Sequence, residues 1–568
     1  MSIFAPLRDG PIHSESGFSK ATQACVACRK QKRKCDKTLP ICGLCARMNR
    51  QCDYTVDAQP TPAAATANDL ATLQSRLNEL ESRLTQILSG GDNGAPPSRF
   101  PTAIFLDIDC FNWASIAIPK SSIGVPPDVY EILSRPPNAV QEAATEYFSG
   151  PHTWFPFISK KRMGLRLAMW DAGPELAFLF LGMKLLTSSV EGEGVYSSAK
   201  RFQSELLERG GSVRLQLLQG MVLVTLYEIG HGIYPGAWMS VGACARYIEV
   251  LGVPSFRGSS RIEKRRRVWW AVYILDRYIS LGNKKRFCMP EPFGDLILPV
   301  DDKAWDDGDP ARALNSPTDS PITQAQAPFS RLCQAAMQIS KVMTHVREVI
   351  HGNTHHNPIP SNTLFVVSLS DTLAAFALTI QQEISSFSSS QPSLPTPPSS
   401  SSSNTTSIEP YPLSSLLPPL TLSLSALVLL FDVYCTPENQ HAGPAPSPLD
   451  SDVPPFQSQS HREMQLRSMN GLKEVAFKGR DIALEILDLL VLPSEQKRLS
   501  PLCLDALYGS LATFHWLWKE SGDDEVRKVL EDVRRCLGRV NMRWRLAGGY
   551  LDLVGYHDVN EVMALRAR

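Results

Sequence analysis

The sequence predicts an all-α protein: a small cysteine-rich module near the N-terminus, a short coiled coil, and a large multi-helix domain with disordered insertions. Helix-length segments within residues 138–310 and 325–550 carry apolar residues at positions i, i+3 and i+4, the spacing of an amphipathic helix. Alternating polar and apolar runs bounded by hairpin turns do not stand out, so we expect no sheet. At 568 residues the chain exceeds the usual length of about 100–200 residues per domain, which predicts several bodies.

The first 24 residues are polar, aperiodic and contain Gly, Pro and Ser throughout, which predicts a disordered tail over 1–24. They show no basic stretch followed by an apolar core, so they do not have the pattern of a secretory signal. We therefore expect a reducing compartment, in which clustered cysteines are more often metal ligands than disulfides.

Six of the 13 cysteines lie between residues 25 and 52 and repeat the pattern C-x2-C-x6-C twice. Zinc takes four tetrahedral ligands, and a C-x2-C turn presents two sulfurs to one ion. Six thiolates fill the eight coordination places of two zinc ions only if two sulfurs bridge them. The spacing therefore favours a binuclear cluster over one zinc ion with two unused cysteines, or over redox or iron–sulfur cysteines. The predicted ligands are Cys25, Cys28, Cys35, Cys42, Cys45 and Cys52.

Charge is also concentrated in this module, although the whole chain carries 57 basic and 57 acidic residues. Residues 25–52 contain eight Lys or Arg and one Asp, so the net charge is +7 there and −7 elsewhere. A zinc-held helix with basic side chains suits a DNA groove, where cations hold phosphates and one or two side chains reach base edges. The alternative for the basic run between Cys28 and Cys35 is a nuclear-import signal or a solvated surface.

The segment CVACRKQKRKCDKTLPICGLCARMNRQC resembles the DNA-binding domain of the fungal zinc binuclear cluster (Zn2Cys6) transcription factors. The shared features include the Cys35-Asp36 pair and Pro40, which lies two residues before the fourth cysteine. The resemblance implies two zinc ions with two shared ligands. One ion would be held by Cys25, Cys28, Cys35 and Cys42, and the other by Cys25, Cys42, Cys45 and Cys52.

The same resemblance implies that the protein reads CGG-type half-sites in the major groove. Lys32 is the expected base-reading residue, because it matches the lysine that the family usually has there. Gln31 departs from the family's usual Arg or Lys. The other cations of the segment are expected mostly on phosphates: Arg29, Lys30, Arg33, Lys34 and Lys37.

Residues 53–69 hold two prolines and show no apolar periodicity, which predicts a linker. In a dimer, the geometry of this linker would govern the spacing of the half-sites.

Residues 70–89 predict a coiled-coil dimerisation helix, because apolar residues alternate at intervals of three and four. The a and d positions are Leu70, Leu73, Leu77, Leu80, Leu84 and Ile87. Arg76 at g and Glu81 at e offer opposite charges across a parallel homodimer. The alternative is an amphipathic helix docked on its own protein. Because a coiled coil of this length is only marginally stable alone, the dimer would need further contacts.

Composition divides the rest of the chain. Residues 90–137 predict a linker or docked segment, and 138–310, 325–384 and 411–550 predict helical regions. Residues 385–410 are rich in Ser and Pro and 436–460 in Pro, which predicts disordered insertions. The clearest helical patterns cover Glu175–Leu186, Val213–Ile229, Trp238–Leu251, Arg261–Leu281 and Leu472–Leu490.

The longest uncharged stretch, Tyr411–Phe431, contains Pro412, Pro418 and Pro419. It predicts a loop that leads into a buried helix rather than a membrane span. We expect no membrane partner.

Three further segments resemble the middle homology region of the same regulators: Tyr147 to Phe157, GAWMSVGACARYIEVLGV (236–253) and RRRVWWAVYILDR (265–277). We expect core positions at Trp269, Trp270, Tyr273 and Ile274. Arg267 is expected to pair with Glu263 on the helix surface, and Lys264–Arg267 to form a solvated helix start, with an import signal as the alternative. The resemblance implies a regulatory region that, in some members, responds to a small-molecule effector.

The sequence contains no G-x-S-x-G, H-E-x-x-H, P-loop or G-x-G-x-x-G motif after a strand, so we expect no enzyme. His351, His355 and His356 are interpreted as an exposed polar loop rather than a metal site. Asp107 and Asp109 are interpreted as part of a docked extended segment, with a carboxylate pair or an acidic activation motif as the alternative.

The expected function is a nuclear, sequence-specific, DNA-binding regulator that activates RNA polymerase II genes, with secondary metabolism as the pathway suggested by the resemblance. The expected partners are double-stranded DNA, a second copy of the chain and the transcription machinery. The alternatives are a helical enzyme or scaffold that uses the zinc module for protein contacts, or a transcriptional repressor.

Overall fold

The helices of the protein follow its apolar periodicity. A computed structural model of the chain describes residues 20–54, 75, 78–79, 123–188, 192–208, 213–252, 260–283, 285–292, 296–309, 316–353, 363–388, 411–435 and 459–555. The chain divides into two compact units, Met1–Phe105 and Leu106–Arg568. Within the described residues no strand forms, and the β-type contacts are isolated bridges at Lys20–Thr38 and Ile297–Pro317. The prediction of an all-α protein is confirmed.

In the first unit, the described segment 20–54 contains two short helices, α1 (Val26–Lys30) and α2 (Gly43–Arg47). The second unit, called the helical body below, contains the remaining helices. They are α3 (Pro127–Ser134), α4 (Ala139–Ser149), α5 (Lys160–Gly164), α6 (Pro174–Thr187), α7 (Glu193–Glu208), α8 (Leu215–Gly230), α9 (Gly236–Leu251), α10 (Ser260–Asn283), α11 (Asp302–Asp306), α12 (Pro328–Asn353), α13 (Thr363–Ser388), α14 (Leu413–Cys435), α15 (Gln459–Leu489), α16 (Pro493–Gln496), α17 (Leu504–Ser521), α18 (Asp524–Val540) and α19 (Leu546–Gly555).

Two helices form the centre of the helical body. Every residue of α8 from Leu217 to Gly230 is buried, and α8 packs between α6 and α9. Residues Ser414 to Leu427 of α14 are likewise buried, against α12, α13, α15 and α17. A helix that is apolar on all sides has to be surrounded by other elements. The five predicted helical segments and the four predicted core positions of α10 are confirmed, since Trp269, Trp270, Tyr273 and Ile274 are all buried.

The stretch Tyr411–Phe431 differs from its prediction in one respect. Burial is confirmed, but the helix begins at Leu413 and includes Pro418 and Pro419, which the sequence placed in a loop. Each proline removes one backbone hydrogen bond, and nearby hydroxyls bond to carbonyls around them. Thr421 donates to Leu417 O at 2.9 Å and Ser423 donates to Pro419 O at 2.7 Å. Tight packing on every side keeps the segment helical in spite of both prolines.

Among the residues that the structure describes, two helices are long and apolar enough to cross a membrane by length and composition, Leu364–Ser386 and Leu413–Cys435. The apolar window of the second is 83% buried inside the protein and that of the first 39%. Burial at the centre of the core accounts for the apolar character of α14. In α13 one face is buried and residues such as Leu364 and Leu378 lie on the exposed face.

The start of α10 is partly buried, which corrects two predictions. Arg267 pairs with Glu263, at 3.1 Å, but both side chains are inaccessible to solvent instead of lying on the surface. Arg267 also bonds Asp302 at 2.8 Å and donates to the carbonyl oxygens of Pro156 and Val300. Arg266 is buried as well, whereas Lys264 is half-buried and Arg265 exposed, so residues 264–267 form a helix start that is only partly solvated. The loops that follow α4 and precede α11 cover this turn, and the sequence pattern of α10 does not encode that cover.

Two further buried arginines hold irregular segments in the same way. Arg277 donates to Met289 O and to the Glu291 carboxylate, at 3.1 and 2.9 Å. Arg331 donates to the carbonyl oxygens of Ile322 and Gln324, at 2.9 and 3.0 Å. The guanidinium group offers five donors in a fixed fork. Each of these arginines therefore satisfies backbone carbonyls of a loop that forms no helix of its own.

Candidate metal centre and nucleic-acid interface

Each short helix of the first unit begins at a cysteine. Cys25 is the N-cap of α1, and its sulfur accepts a hydrogen bond from the backbone N–H of Cys28 at 3.5 Å. Cys42 caps α2 in the same way, with its sulfur 3.4 Å from the nitrogen of Cys45. A side-chain acceptor at this position satisfies an otherwise unpaired N–H of the first turn. The C-x2-C pattern therefore places both of its sulfurs at the N-terminus of a helix.

The two helices also end alike, which makes the halves of the module structural repeats 17 residues apart. Lys32 and Asn49 follow the helices in the left-handed region, with φ of 50° and 46°. The next residues, Arg33 and Arg50, donate their backbone N–H to Cys28 O and Cys45 O, at 2.9 and 3.0 Å. This turn reverses the chain, and each half then reaches its third cysteine.

The sulfurs of all six cysteines converge. Two overlapping groups of four have all their sulfurs within 4.8 Å of one another, and these groups are Cys25, Cys28, Cys35 and Cys42, and Cys25, Cys42, Cys45 and Cys52. The shared sulfurs, Cys25 and Cys42, are 3.7 Å apart. Four sulfurs around zinc at about 2.3 Å are separated by about 3.8 Å. The distances and the donor type therefore fit two tetrahedral zinc sites with a common edge.

The thiols are too crowded to be ionised together without a cation. Desolvation and the neighbouring thiols raise the pKa of Cys28 to about 12. Desolvation also opposes ionisation of Cys42, but the backbone N–H of Cys45 and adjacent thiols outweigh it and lower the pKa of Cys42 to about 6. A bound divalent metal deprotonates its thiol ligands and neutralises their mutual repulsion. Zinc would hold all six groups as thiolates.

Asp36 connects the two halves. Its carboxylate accepts the backbone N–H of Gly43, the first residue of α2, at 2.9 Å, and the hydroxyl of Thr38 at 3.1 Å. Desolvation opposes ionisation, but the bonds from Gly43 and Thr38 prevail and lower the pKa of Asp36. A Cβ on Gly43 would lie 2.5 Å from the Asp36 carboxylate, so this close approach requires glycine. Sequence reasoning missed Gly43; a poor helix former at a helix start was the available signal.

Tyr54 is a second residue that sequence reasoning missed. Its hydroxyl donates to Thr38 O at 2.9 Å and lies 3.9 Å from the sulfur of Cys35. The neighbouring Asp53 accepts the N–H of Val26 through its carbonyl at 2.9 Å. Residues 53 and 54, which the sequence assigned to the linker, thus connect the end of the module to Val26, Cys35 and Thr38 in its first part. Nothing in the sequence pattern marks this contact, because it depends on the return of the chain after Cys52.

The predicted DNA contacts are mostly accessible. Five of the six side chains are exposed, namely Arg29, Lys30, Lys32, Arg33 and Lys34. Lys37 is half-buried, and its ammonium donates to Thr22 O at 3.0 Å. Gln31, at the family's usual Arg or Lys position, accepts a hydrogen bond from Arg50 at 2.6 Å. The structure therefore places a basic surface around the end of α1.

Several predicted positions lie outside the described residues. The six coiled-coil positions from Leu70 to Ile87 are among them, and so are Asp107, Asp109, His355 and His356. Ser75, Asn78 and Glu79 are described, and they are helical and exposed. Pairing through this helix stays a prediction. His351 lies in the last turn of α12, where its side chain is not described.

A small cavity lies between α5 and α8 of the helical body. This cavity, lined by residues such as Ile158, Arg162 and Gln219, has a volume of about 10 Å³. That is at the lower limit for a single water molecule. It has no room for a small-molecule effector, and the effector stays a prediction.

Comparisons with known proteins agree with both parts of this geometry. Residues 23–61 match the fungal Zn(2)-Cys(6) binuclear cluster domain, and residues 145–393 match the fungal specific transcription factor domain. The chain is 35% identical to transcription factor BOA15 of Botryotinia fuckeliana over 159 residues, which are 27% of this chain and 86% of that relative.

Two longer matches have lower identity. The citrinin biosynthesis transcriptional activator mrl3 of Monascus ruber is 24% identical over 386 residues, covering 57% of this chain and 73% of the relative. The depudecin biosynthesis cluster-specific transcription activator DEP6 of Fusarium langsethiae is 25% identical over 375 residues, covering 49% of this chain and 61% of the relative. Together with the cysteine module, these matches show that the chain belongs to the fungal zinc binuclear cluster transcription factors and is a DNA-binding transcription regulator.

Proposed function

We propose that this protein is a nuclear activator of RNA polymerase II genes that reads CGG-type half-sites through its zinc module. The observation that carries the proposal is the overlap of two four-sulfur groups at Cys25 and Cys42, whose sulfurs are 3.7 Å apart. Two zinc ions in these groups would pin the N-termini of both short helices. The basic run at the end of α1 would then have a fixed orientation toward DNA.

Two roles are assigned to the cations of this run. Lys32 is exposed at the end of α1 in a left-handed conformation, and we assign it the contact to base edges. Arg29, Lys30, Arg33 and Lys34, also exposed, contact phosphates and supply affinity without selecting sequence. Lys37 contributes a phosphate contact only if it leaves Thr22 O.

The protein acts as a homodimer in this proposal. The heptad pattern of residues 70–89 supports a parallel coil, and the linker after the module sets half-site spacing. The transcription machinery is the further partner. The function is binding and regulation rather than catalysis, in keeping with a family of transcription factors.

The target pathway is assigned by similarity of name alone. Relatives are named as activators of citrinin and depudecin biosynthesis, and we propose that this protein likewise activates a biosynthetic gene cluster for a secondary metabolite.

Selection of binding sites from a random DNA pool by the full-length, zinc-loaded protein tests the proposal. We expect paired CGG-type half-sites at one spacing, with binding lost when zinc is chelated. Lys32→Ala should lower affinity for the selected site by about 1–3 kcal/mol and relax base preference, whereas Lys34→Ala should weaken all sequences alike. A zinc-loaded protein that selects no sequence would refute the proposal.

Sedimentation of the full-length protein tests the dimer separately. Leu77→Pro should break the coil, since proline disrupts a helix interior, and should abolish binding to paired half-sites. An unchanged dimer with unchanged binding would contradict the role of residues 70–89.

A further inference from the structure

The small cavity between α5 and α8 has a basic lining and is called the basic notch below. The polar residues that line it are Ser159, Arg162, Arg166, Gln216, Gln219 and Lys264. Three of these six residues are cations and none is acidic, so the notch attracts a negatively charged group. All three cations are at least partly exposed, so such a group can reach the notch from solvent.

One buried donor that lines the notch lacks a partner. Gln219 is 2% exposed, and its amide nitrogen Nε2 forms no hydrogen bond with any residue that the structure describes. A buried donor that is left unpaired destabilises a fold, and most buried polar groups are paired. The unpaired N–H of Gln219 therefore indicates an acceptor that enters the notch from outside.

The size of the notch limits this acceptor to one small group. A volume of about 10 Å³ has room for a single water molecule or an oxygen atom of similar size. A carboxylate can place one oxygen there, beside Gln219, and present its other oxygen to the cations. A hydrogen bond to a charged acceptor is roughly twice as strong as a neutral one. The notch thus fits the end of an acidic side chain rather than a whole small molecule.

Exposed apolar side chains lie in the same stretch of chain as the notch. Residues 159–170 contain four Lys or Arg residues and no acidic one. Within this stretch Leu165 is 79% exposed and Met169 is 55% exposed. A surface that combines cations with apolar groups is complementary to an acidic peptide that also carries apolar side chains.

The chain itself contains such a peptide at residues 106–113, which lie outside the described residues and read LDIDCFNW. The segment has two acids, Asp107 and Asp109, and no cation. In an extended chain, residues two positions apart project to the same side, about 7 Å from each other. One carboxylate can then enter the notch while the other faces the cations beside it. Most of the remaining side chains are large and apolar, as contact with Leu165 and Met169 requires.

The path of the chain brings this segment within reach of the notch. The second unit begins at Leu106, so residues 106–113 belong to the helical body. Only residues 114–122 separate the segment from Ile123, which packs against the core, and a chain of that length spans up to about 30 Å. The first helix of the body, α3, contacts the same stretch as the notch, because the ring centroids of Tyr130 and Trp170 are 5.2 Å apart.

We infer that the basic notch is a docking site for residues 106–113 of the same chain. The carboxylate of Asp107 or Asp109 accepts the unpaired N–H of Gln219 and pairs with a cation of the notch. While the segment is docked, these carboxylates are withheld from other proteins, so the segment does not serve as an acidic activation motif. The inference concerns the helical body alone and does not depend on DNA recognition.

Zero-length carbodiimide cross-linking of the full-length, zinc-loaded protein tests the contact, because it joins a carboxylate only to an amine beside it. Mass spectrometry should find Asp107 or Asp109 joined to Lys264 or Lys160. A mixture of isotope-labelled and unlabelled protein separates links within one chain from links between two copies, and we expect links within one chain. Absence of such links, or links between copies alone, would overturn the inference.

Two variants of the notch test the role of its polar groups. Gln219→Leu removes the unpaired donor and Arg166→Gln removes a cation, so each should lower the cross-link yield about tenfold, as the loss of a hydrogen bond to a charged group predicts. The matched control is Gln203→Leu, because Gln203 is also buried and has an unpaired amide atom but does not line the notch.

The control should keep the wild-type cross-link yield, and the calorimetric transition of the body should verify that every variant folds. Arg166 is only half-buried, so Arg166→Gln keeps the test decisive if Gln219→Leu fails to fold. The inference is wrong if the folded notch variants retain the yield of Gln203→Leu.

Discussion

The zinc module and the helical body are stabilised by different means. The buried cluster of the module consists of four cysteines, Cys25, Cys28, Cys42 and Cys45. The body, in contrast, buries a continuous core of Leu, Val, Ile, Phe and Trp side chains from α3 to α19. Apolar burial contributes about 25 cal/mol per Å², which the module cannot gather. From this comparison we expect that the module depends on bound metal to fold, whereas the body folds through burial of its apolar surface.

The two regions nevertheless share one feature. In each, segments without regular secondary structure are held in place by polar groups that bind several partners at once. In the module, sulfurs converge from the two helix starts and from the third cysteine of each half. In the body, Arg267, Arg277 and Arg331 collect loop carbonyls and carboxylates. Irregular segments leave backbone N–H and C=O groups without the hydrogen bonds of a helix or a sheet. A group that binds several atoms at once supplies contacts that secondary structure would otherwise provide.

The largest effect that separates the two regions should come from a shared zinc ligand. Cys42→Ala removes one sulfur from both four-sulfur groups, and structural zinc contributes about 10–16 kcal/mol to folding. We expect loss of both ions in native mass spectrometry, loss of DNA binding, and an unchanged calorimetric transition of the body. Cys288→Ala, at an exposed cysteine, is the control. It should keep both zinc ions, DNA binding and the calorimetric transition of the body. Retention of two ions by Cys42→Ala would show that the shared edge is not needed.

The next largest effect should come from the buried arginine of α10. Arg267→Met leaves the buried carboxylate of Asp302 without its cation, which costs about 3–5 kcal/mol, whereas Glu263 keeps its ion pair with Arg266. Urea unfolding should show the loss in the body, with zinc content unchanged. Arg265→Ala, at an exposed position of the same turn, should stay within about 0.5 kcal/mol of the wild type. Equal stability of both variants would mean that Arg267 does not hold the loops.

A smaller effect is expected where α8 meets Trp544. A Cβ on Gly230 would lie 2.2 Å from the indole ring, so Gly230→Ala should destabilise the body by about 1–3 kcal/mol. Gly538, in α18, has open space around its missing side chain. Gly538→Ala should therefore raise stability by about 0.5–1 kcal/mol, because alanine is the better helix former. Thermal unfolding of the two variants measures both changes in stability. A stability change of the same sign in both would contradict the close contact between Gly230 and Trp544.

The last predicted effect is a pH dependence of the stability of the body. Burial, together with Arg543 and Arg545, lowers the pKa of His231 to about 4. The unfolded chain, with an imidazole pKa of about 6.5, binds more protons between these values, so this contribution to stability is lost as pH falls from 6.5 to 4. Because the ring is partly exposed, we expect only about 1–2 kcal/mol. His231→Gln should remove this part of the pH dependence of the unfolding free energy, measured by urea titrations at several pH values. An unchanged dependence on pH between 6.5 and 4 would contradict the role of His231.

Much of the body was predictable because helix periodicity is a local property. The apolar run of α8 and the core positions of α10 were predicted from spacing and are buried. The errors have non-local causes. Arg267 has the pattern of a surface residue, and only the loops carrying Pro156 and Val300 bury it. Pro418 and Pro419 have the pattern of a loop, and only the packing around α14 keeps them helical.

In the module, spacing predicted that six cysteines hold two metal ions through two shared sulfurs, because the reach of a C-x2-C turn and the tetrahedral demand of zinc are fixed by covalent and coordination geometry. The family resemblance implied that Cys25 and Cys42 are the shared pair. The sequence also determined the helical class of the body, through its apolar periodicity. Tertiary structure decided the rest: the approach of Asp36 to Gly43, the return of Tyr54, and the bond of Arg50 to Gln31. These contacts join residues seven to 19 positions apart, and no residue pattern specifies such a meeting until the chain has turned back on itself.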